Sequence, residues 1–266
     1  MLRYRLLASA AAAVLAMAAC DMPQSGSVGS PVALGTFKAD PSGSASYSML
    51  PSLAFYRVTG AMFVNTSVAS DSCLDAPYSD GTDAGPVVAP GISAGDYVLL
   101  SLGSRTDTLR RSMLGDPFYR TSGGQSIPFT PGDSMVIRVA GDPNGFPAST
   151  FRGRTAEALT VGAVNLPAPG DQMTVNWSPA GGSGAAVLVA LRYASSDSVA
   201  SFNRQVACTF VDDGTAAVPA PAVINWLRSS RRDMVVQRLR SILEQVAVPR
   251  SYFNVVSVFE TQVSVP

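Results

Sequence analysis

Gly91-Ile92-Ser93-Ala94-Gly95 has the G-x-S-x-G spacing that, at a strand–turn–helix bend, aims a serine hydroxyl at a histidine base. The chain has no histidine, and a strand-like run (96–102, DYVLLSL) follows the motif, so a turn is expected there. Without imidazole, Ser-His-Asp and Cys-His nucleophiles, histidine-based zinc sites and facial triads are excluded as well. Asp71, Asp75, Asp80 and Asp83 fall within thirteen residues. Acidic loops can hold Ca²⁺, but this spacing lacks the EF-hand pattern and its closing Glu, and Asp and Gly also make turns. No metal, cofactor or catalytic residue is assigned. Asp212 and Asp213 are neighbours on an extended chain, where side chains diverge, so they suit a turn better than a paired-carboxylate site. Arg228, Arg231, Arg232, Arg238 and Arg240 form a basic cluster, read either as a solvated face or as a contact for anionic headgroups or a carboxylated glycan.

The three cysteines are Cys20, Cys73 and Cys208. Cys73 lies in a polar Asp-Ser-Cys-Leu-Asp stretch and Cys208 on the core-facing side of an alternating strand. Cysteines from separate cores rarely come within the ~7 Å Cα limit of a bridge. No disulfide is therefore expected, and Cys208 reads as a buried inert thiol, with a Cys73–Cys208 bridge as the alternative.

The first twenty residues read MLRYRLLASAAAAVLAMAAC. Arg3 and Arg5 make a basic start, and the apolar stretch from Leu6 to Ala16 has signal-peptide length, too short to span a bilayer comfortably. Met17-Ala18-Ala19-Cys20 resembles a bacterial lipobox. The resemblance implies that 1–19 is a lipoprotein signal peptide, cleaved before Cys20, and that Cys20 carries a thioether-linked diacylglycerol. Two or three acyl chains make such attachment effectively stable, at ~0.8 kcal/mol per buried CH₂. Residues 20–31, rich in Ser, Gly and Pro, read as the lipidated cysteine and a flexible tether. The N-x-S sequences at Asn65 and Asn176 carry no expectation in a bacterial chain.

Charged residues make up only 14% of 266, with 18 Arg to one Lys (Lys38) and 16 Asp to three Glu. Nineteen bases against nineteen acids exclude a whole-chain nucleic-acid binder.

What would position any of these groups is an all-β body. Short apolar runs at period two recur between Gly, Pro, Asp and Ser clusters. Met173, Val175 and Trp177 alternate; so do Val187, Val189, Leu191 and Tyr193, and then Val206, Cys208 and Phe210 before an Asp213-Gly214 turn. Runs at 96–102 and 134–139 behave likewise. Between 234 and 247, Val235, Leu239, Ile242 and Val246 fit a helical stripe, while Val235, Leu239 and Leu243 fit a strand; hairpin context favours the strand. A Pro- and Gly-rich stretch, 165–170, marks a boundary, giving expected domains at 32–164 and 165–266. The stretch DQMTVNWSPAGGSGAAVLVALRYA resembles the fibronectin type III pattern, with Trp177 as the core tryptophan and Tyr193 as an inward aromatic of the partner strand. That resemblance implies two tandem antiparallel β-sandwich (immunoglobulin/fibronectin III-like) domains.

The expectation is a non-enzymatic cell-envelope protein, membrane-anchored through lipid on Cys20 at the periplasmic face or cell surface. It would act as a binding or spacer module for an envelope protein or glycan. The alternative is an envelope hydrolase, or its accessory subunit, using Asp, Glu or a bound metal.

Overall fold

The computed structural model describes residues 30–41, 46–58, 71–78, 91–111, 116–246 and 251–265. The segment read as a signal peptide, Cys20, most of the segment read as a tether, Asn65, Asp80 and Asp83 lie outside them. The chain is all-β, as its alternation implies. Its strands are β1 (Ser30–Pro41), β2 (Tyr47–Met49), β3 (Ser52–Val58), β4 (Ser72–Pro77), β5 (Val98–Leu102), β6 (Arg105–Arg111), β7 (Phe118–Arg120), β8 (Ile127–Phe129), β9 (Ser134–Val139), β10 (Ser149–Arg154) and β11 (Thr160–Val161). The second half adds β12 (Met173–Ser178), β13 (Ala185–Tyr193), β14 (Arg204–Val211), β15 (Thr215–Val218), β16 (Arg232–Val246) and β17 (Ser251–Val263). One α-helix, α1 (Ala220–Arg228), is present among the described residues. No helix among them is long and apolar enough to cross a membrane.

A large sheet runs β10-β9-β5-β6-β7-β3-β1-β17-β16-β13-β14-β4, and a small one runs β11-β12-β15. Among the described residues the pairs are antiparallel except one: β1 and β17 run parallel, from Val32 opposite Tyr252 to Ala39 opposite Phe259. That pair departs from the expected purely antiparallel sandwiches.

Two cores form. Around the first, Phe37 of β1, Phe55 of β3, Leu100 of β5, Ile137 of β9 and Phe253 of β17 are fully buried. The sheet folds back on itself here: Phe151 of β10 stacks on Phe253 at 3.6 Å between centroids. A Cβ on Gly153 would come within 2.6 Å of the Ile242 side chain, so with any larger residue there Ile242 must shift for β10 to reach β16 as closely. The second core lies between the inward residues of β13, β14, β16 and β17 and a cover made of the small sheet and α1, which contributes Val223 and Trp226.

The boundary expected at 164/165 does not partition the strands. β1 pairs with β17, and β4 adds to the edge of β14. β16 and β17 are long enough to serve both cores: Met234 and Val236 enter the second and Ile242 the first, while Phe253 and Val255 enter the first and Val263 the second. The 234–247 segment is strand through 246, as hairpin context favours. Its helical stripe is a by-product of burial on both faces, since Val235 and Leu239 join Leu188, Val256 and Val258 in a third apolar cluster on the opposite side of the sheet.

Candidate functional site

Where the two cores meet, three side chains singled out separately in the sequence come together. Trp177 is the last inward residue of β12 and Asp212 directly follows β14; both continue the inward parity of their runs. Arg238 holds an inward position of β16. Asp212 Oδ1 accepts from Trp177 Nε1 at 2.6 Å. Arg238 Nε donates to Asp212 Oδ2 at 2.6 Å, and Nη2 to Oδ1 at 3.2 Å. The guanidinium also donates to the carbonyls of Ala158 at 2.9 Å, Glu157 at 3.4 Å and Pro179. All five guanidinium donors are thereby used.

One position further out, Arg240 clamps Glu157 in a bidentate pair, Nε to Oε2 at 3.0 Å and Nη2 to Oε1 at 2.8 Å. It also donates to the carbonyls of Gly181 and Ser183. Ser257, buried on β17, accepts from the Ala156 N–H at 2.9 Å. Residues 156–158, which lead from the first core toward the second, are thus held by side chains of β16 and β17. A shallow hollow at this cluster is lined by Ala180, the 182–185 turn, Val211, Asp212 and Asp213. Gly181 lies so close that a Cβ there would fall 2.2 Å from Asp212 Oδ2.

The chemistry available at this cluster is cohesion. Both oxygens of Asp212 and both of Glu157 accept hydrogen bonds from these donors. Asp213 diverges from Asp212, as extended geometry demands: its Oδ1 accepts from the Thr215 N–H at 3.2 Å in the turn made by Gly214.

The remaining sequence candidates scatter. Ser93 of the G-x-S-x-G motif caps a turn, its Oγ accepting from Gly95 N–H at 3.2 Å, and strand β5 follows. Its hydroxyl also hydrogen-bonds Asp142, and that bond, with one from the Asn144 N–H, holds the Asp142 carboxyl below the usual range. Of the acidic run, Asp75 lies in β4 with Arg204 Nη2 at 2.6 Å and Tyr193 Oη at 3.4 Å. Among the described residues no group of three His, Cys, Asp or Glu could hold a metal ion. The basic cluster is not a solvated face. Arg228 and Arg231 are exposed, but Arg232 donates to the Leu227 carbonyl and lies over the Trp226 ring, and Arg238 is fully buried. Inward parity on β16 sends Arg232, Arg238 and Arg240 into the molecule.

The expectation of unpaired cysteines is overturned. Cys73 and Cys208 form a disulfide, with Cα atoms 4.0 Å apart. β4 leaves the first half of the chain and places Cys73 directly opposite Cys208 in the β14 ladder. Assigning the two residues to separate domains hid this.

A second polar group occupies the opposite face of the sheet. Lys38 Nζ donates to Glu260 Oε1 at 2.7 Å, and Gln237 Nε2 to Glu260 Oε2 at 2.6 Å. Asp233 lies 4.0 Å from Arg192, and its Oδ1 is buried without a hydrogen-bond partner. No protein-family model, curated protein or solved structure matches this chain.

Proposed function

We propose that this chain is a non-enzymatic, lipid-anchored protein of the cell envelope, held to a membrane by acyl chains on Cys20. Its body would serve as a binding or spacer module for an envelope protein or glycan. The observation that carries this reading is the Cys73–Cys208 disulfide. Disulfides of this kind form and persist in oxidising compartments, outside the cytosol. The pairing also leaves Cys20, at the lipobox-like position, as the third and odd cysteine. An odd thiol in an oxidising compartment invites pairing between chains, and thioether formation removes that hazard.

The non-enzymatic half draws support from the carboxylates. Asp212, Glu157 and Glu260 are each bound to a cation at 2.6–2.8 Å. For Glu260, burial pushes the carboxyl up, but the Lys38 ammonium and the Gln237 amide hold it below its ordinary value, which makes it a poor general base at neutral pH.

The experiment is membrane fractionation with metabolic palmitate labelling of the wild type and Cys20→Ser. Label in the wild type alone, with the variant released or unprocessed, is expected. Membrane retention without label in the wild type would overturn the anchor. A purified chain that turns over an ester, glycoside or peptide substrate, and loses that turnover when one carboxylate is changed, would favour the envelope-hydrolase alternative.

A further inference from the structure

β4 and the strand it rests on are unequal partners. β4 ends the large sheet and pairs on one side, with β14. Four of its six residues are exposed and two are half-buried. Its ion pair, Asp75 with Arg204, is more than a third exposed on both sides, where screening leaves such pairs weak. β14, by contrast, buries five consecutive residues, from Val206 to Phe210. That burial comes from the clusters on the two faces of the sheet, whereas at its edge the β14 backbone pairs with β4, which brings little apolar surface of its own. Beyond the ladder itself, the Tyr78 N–H bond to the Asn203 carbonyl and the Arg192 guanidinium over the Tyr78 ring, β4 is tied down by the disulfide, which closes a loop across a sequence separation of 135 residues.

We propose that the edge of β14 is a strand-acceptor site and that β4 is an exchangeable clasp whose partner, before oxidation, can equally be the β14 edge of a second copy of this chain. The register that sets Cys73 opposite Cys208 and Asp75 opposite Val206 is satisfied identically within a chain or between two. Exchange of one identical strand between protomers is a low-cost route to a dimer. Oxidation then fixes whichever pairing exists. Two thiols become one disulfide, and their two electrons and two protons pass to a disulfide oxidant, which leaves as two thiols. Closed within one chain, the clasp keeps the protein monomeric; closed between chains, it gives a covalent strand-exchanged dimer.

The test uses two full-length chains in detergent, both carrying Cys20→Ser so that no third thiol competes. One also carries Cys73→Ser and the other Cys208→Ser. They are refolded together and oxidised with glutathione disulfide. A heterodimer whose cross-link maps to Cys73 and Cys208, several-fold above the dimer formed by either variant alone, is expected. No excess over the single variants would overturn the second copy as occupant. Hydrogen exchange on the reduced wild type reads the clasp without any substitution. Amides of 72–77 that pair with β14, and those of 204–209 that face β4 rather than β13, are expected to exchange faster by on the order of 10³-fold, from lost loop closure, while β1 and β17 stay protected. Unchanged protection of 72–77, or loss of protection along the whole chain, would overturn the clasp.

Discussion

Arg238 and Asp212 meet at 2.6 Å with neither side chain exposed to solvent, at the point where the two cores share β16. Removing two charges from water costs several kcal/mol per ion, and their attraction offsets that only if the remaining polar atoms are satisfied. Here they are: the carboxylate also takes the Trp177 N–H, and the guanidinium takes three carbonyls. The pair therefore gathers the 157–158 connection, the 179 turn, the end of β14 and the centre of β16 into one arrangement.

Breaking the pair from one side should cost more than removing it whole. Asp212→Asn or Arg238→Met alone leaves a buried charge uncompensated and should cost about 3–5 kcal/mol. The double change Asp212→Asn with Arg238→Met should recover at least half of the summed loss. Urea unfolding of all variants at neutral pH checks this, and a double variant that loses the full sum would show the two residues act independently.

Trp177 contributes both volume and a donor. It is 4% exposed within the second core, so Trp177→Ala should cost about 3–5 kcal/mol through lost burial and a residual cavity. Trp177→Phe keeps most of the ring contact and removes the N–H to Asp212, which predicts a loss of about 1–3 kcal/mol for a bond to a charged acceptor. Chemical denaturation of the whole chain is the measurement. A loss under about 1 kcal/mol for the alanine variant would place Trp177 at the surface.

The inward parity that identified Trp177 and Tyr193 as core residues also contained the Asp212–Arg238 pair. Val206, Cys208, Phe210 and Asp212 share one parity, as do Met234, Val236 and Arg238. A charge continuing an apolar alternation signals a buried partner, and two such charges call for each other. Alternation says which face a residue occupies and nothing about which strand lies beside it. The parallel β1–β17 pair and the docking of β4 on β14 are long-range pairings of that kind, and so is the disulfide that follows from the second. Helix α1 was hidden for a local reason. It is only nine residues long and buries just Val223 and Trp226, too few positions to set a period, although Pro in its first turn is a legible start.

Gly153 tests the closure of β10 over β16. A Cβ there meets the end of the Ile242 side chain at 2.6 Å, so a larger residue must displace it within a filled core. Gly153→Val should lose about 1–3 kcal/mol by overpacking, and Ile242→Ala in the same chain should relieve part of the clash. Thermal and urea unfolding of the single and double variants compare the two. Additive losses would mean that β10 and β16 do not touch at this point.

Acid should act on the opposite face through Glu260 and Asp233, with opposite signs. Burial pushes the Glu260 carboxyl up, but the Lys38 ammonium and the Gln237 amide together outweigh it and hold the group below its ordinary value. A folded value below the unfolded one contributes stability above the unfolded value, near 4.3, and loses it as pH falls through the folded value. Asp233 is raised, chiefly by burial, with Arg192 opposing and Glu260 adding to the rise. Its folded form holds a proton where the unfolded chain has released one, so it lowers stability as pH rises through that window. Glu260→Gln should therefore cost about 1–2 kcal/mol at pH 7, from two hydrogen bonds with a charged acceptor at a partly solvated site, and close to nothing near pH 2. Asp233→Asn should cost little or raise stability at pH 7, and should lose that advantage in acid. Urea midpoints between about pH 2 and 7 for the wild type and both variants separate the two. A Glu260→Gln loss that persists undiminished into acid would mean that the side chain packs rather than titrates, and that Lys38 is not what holds it.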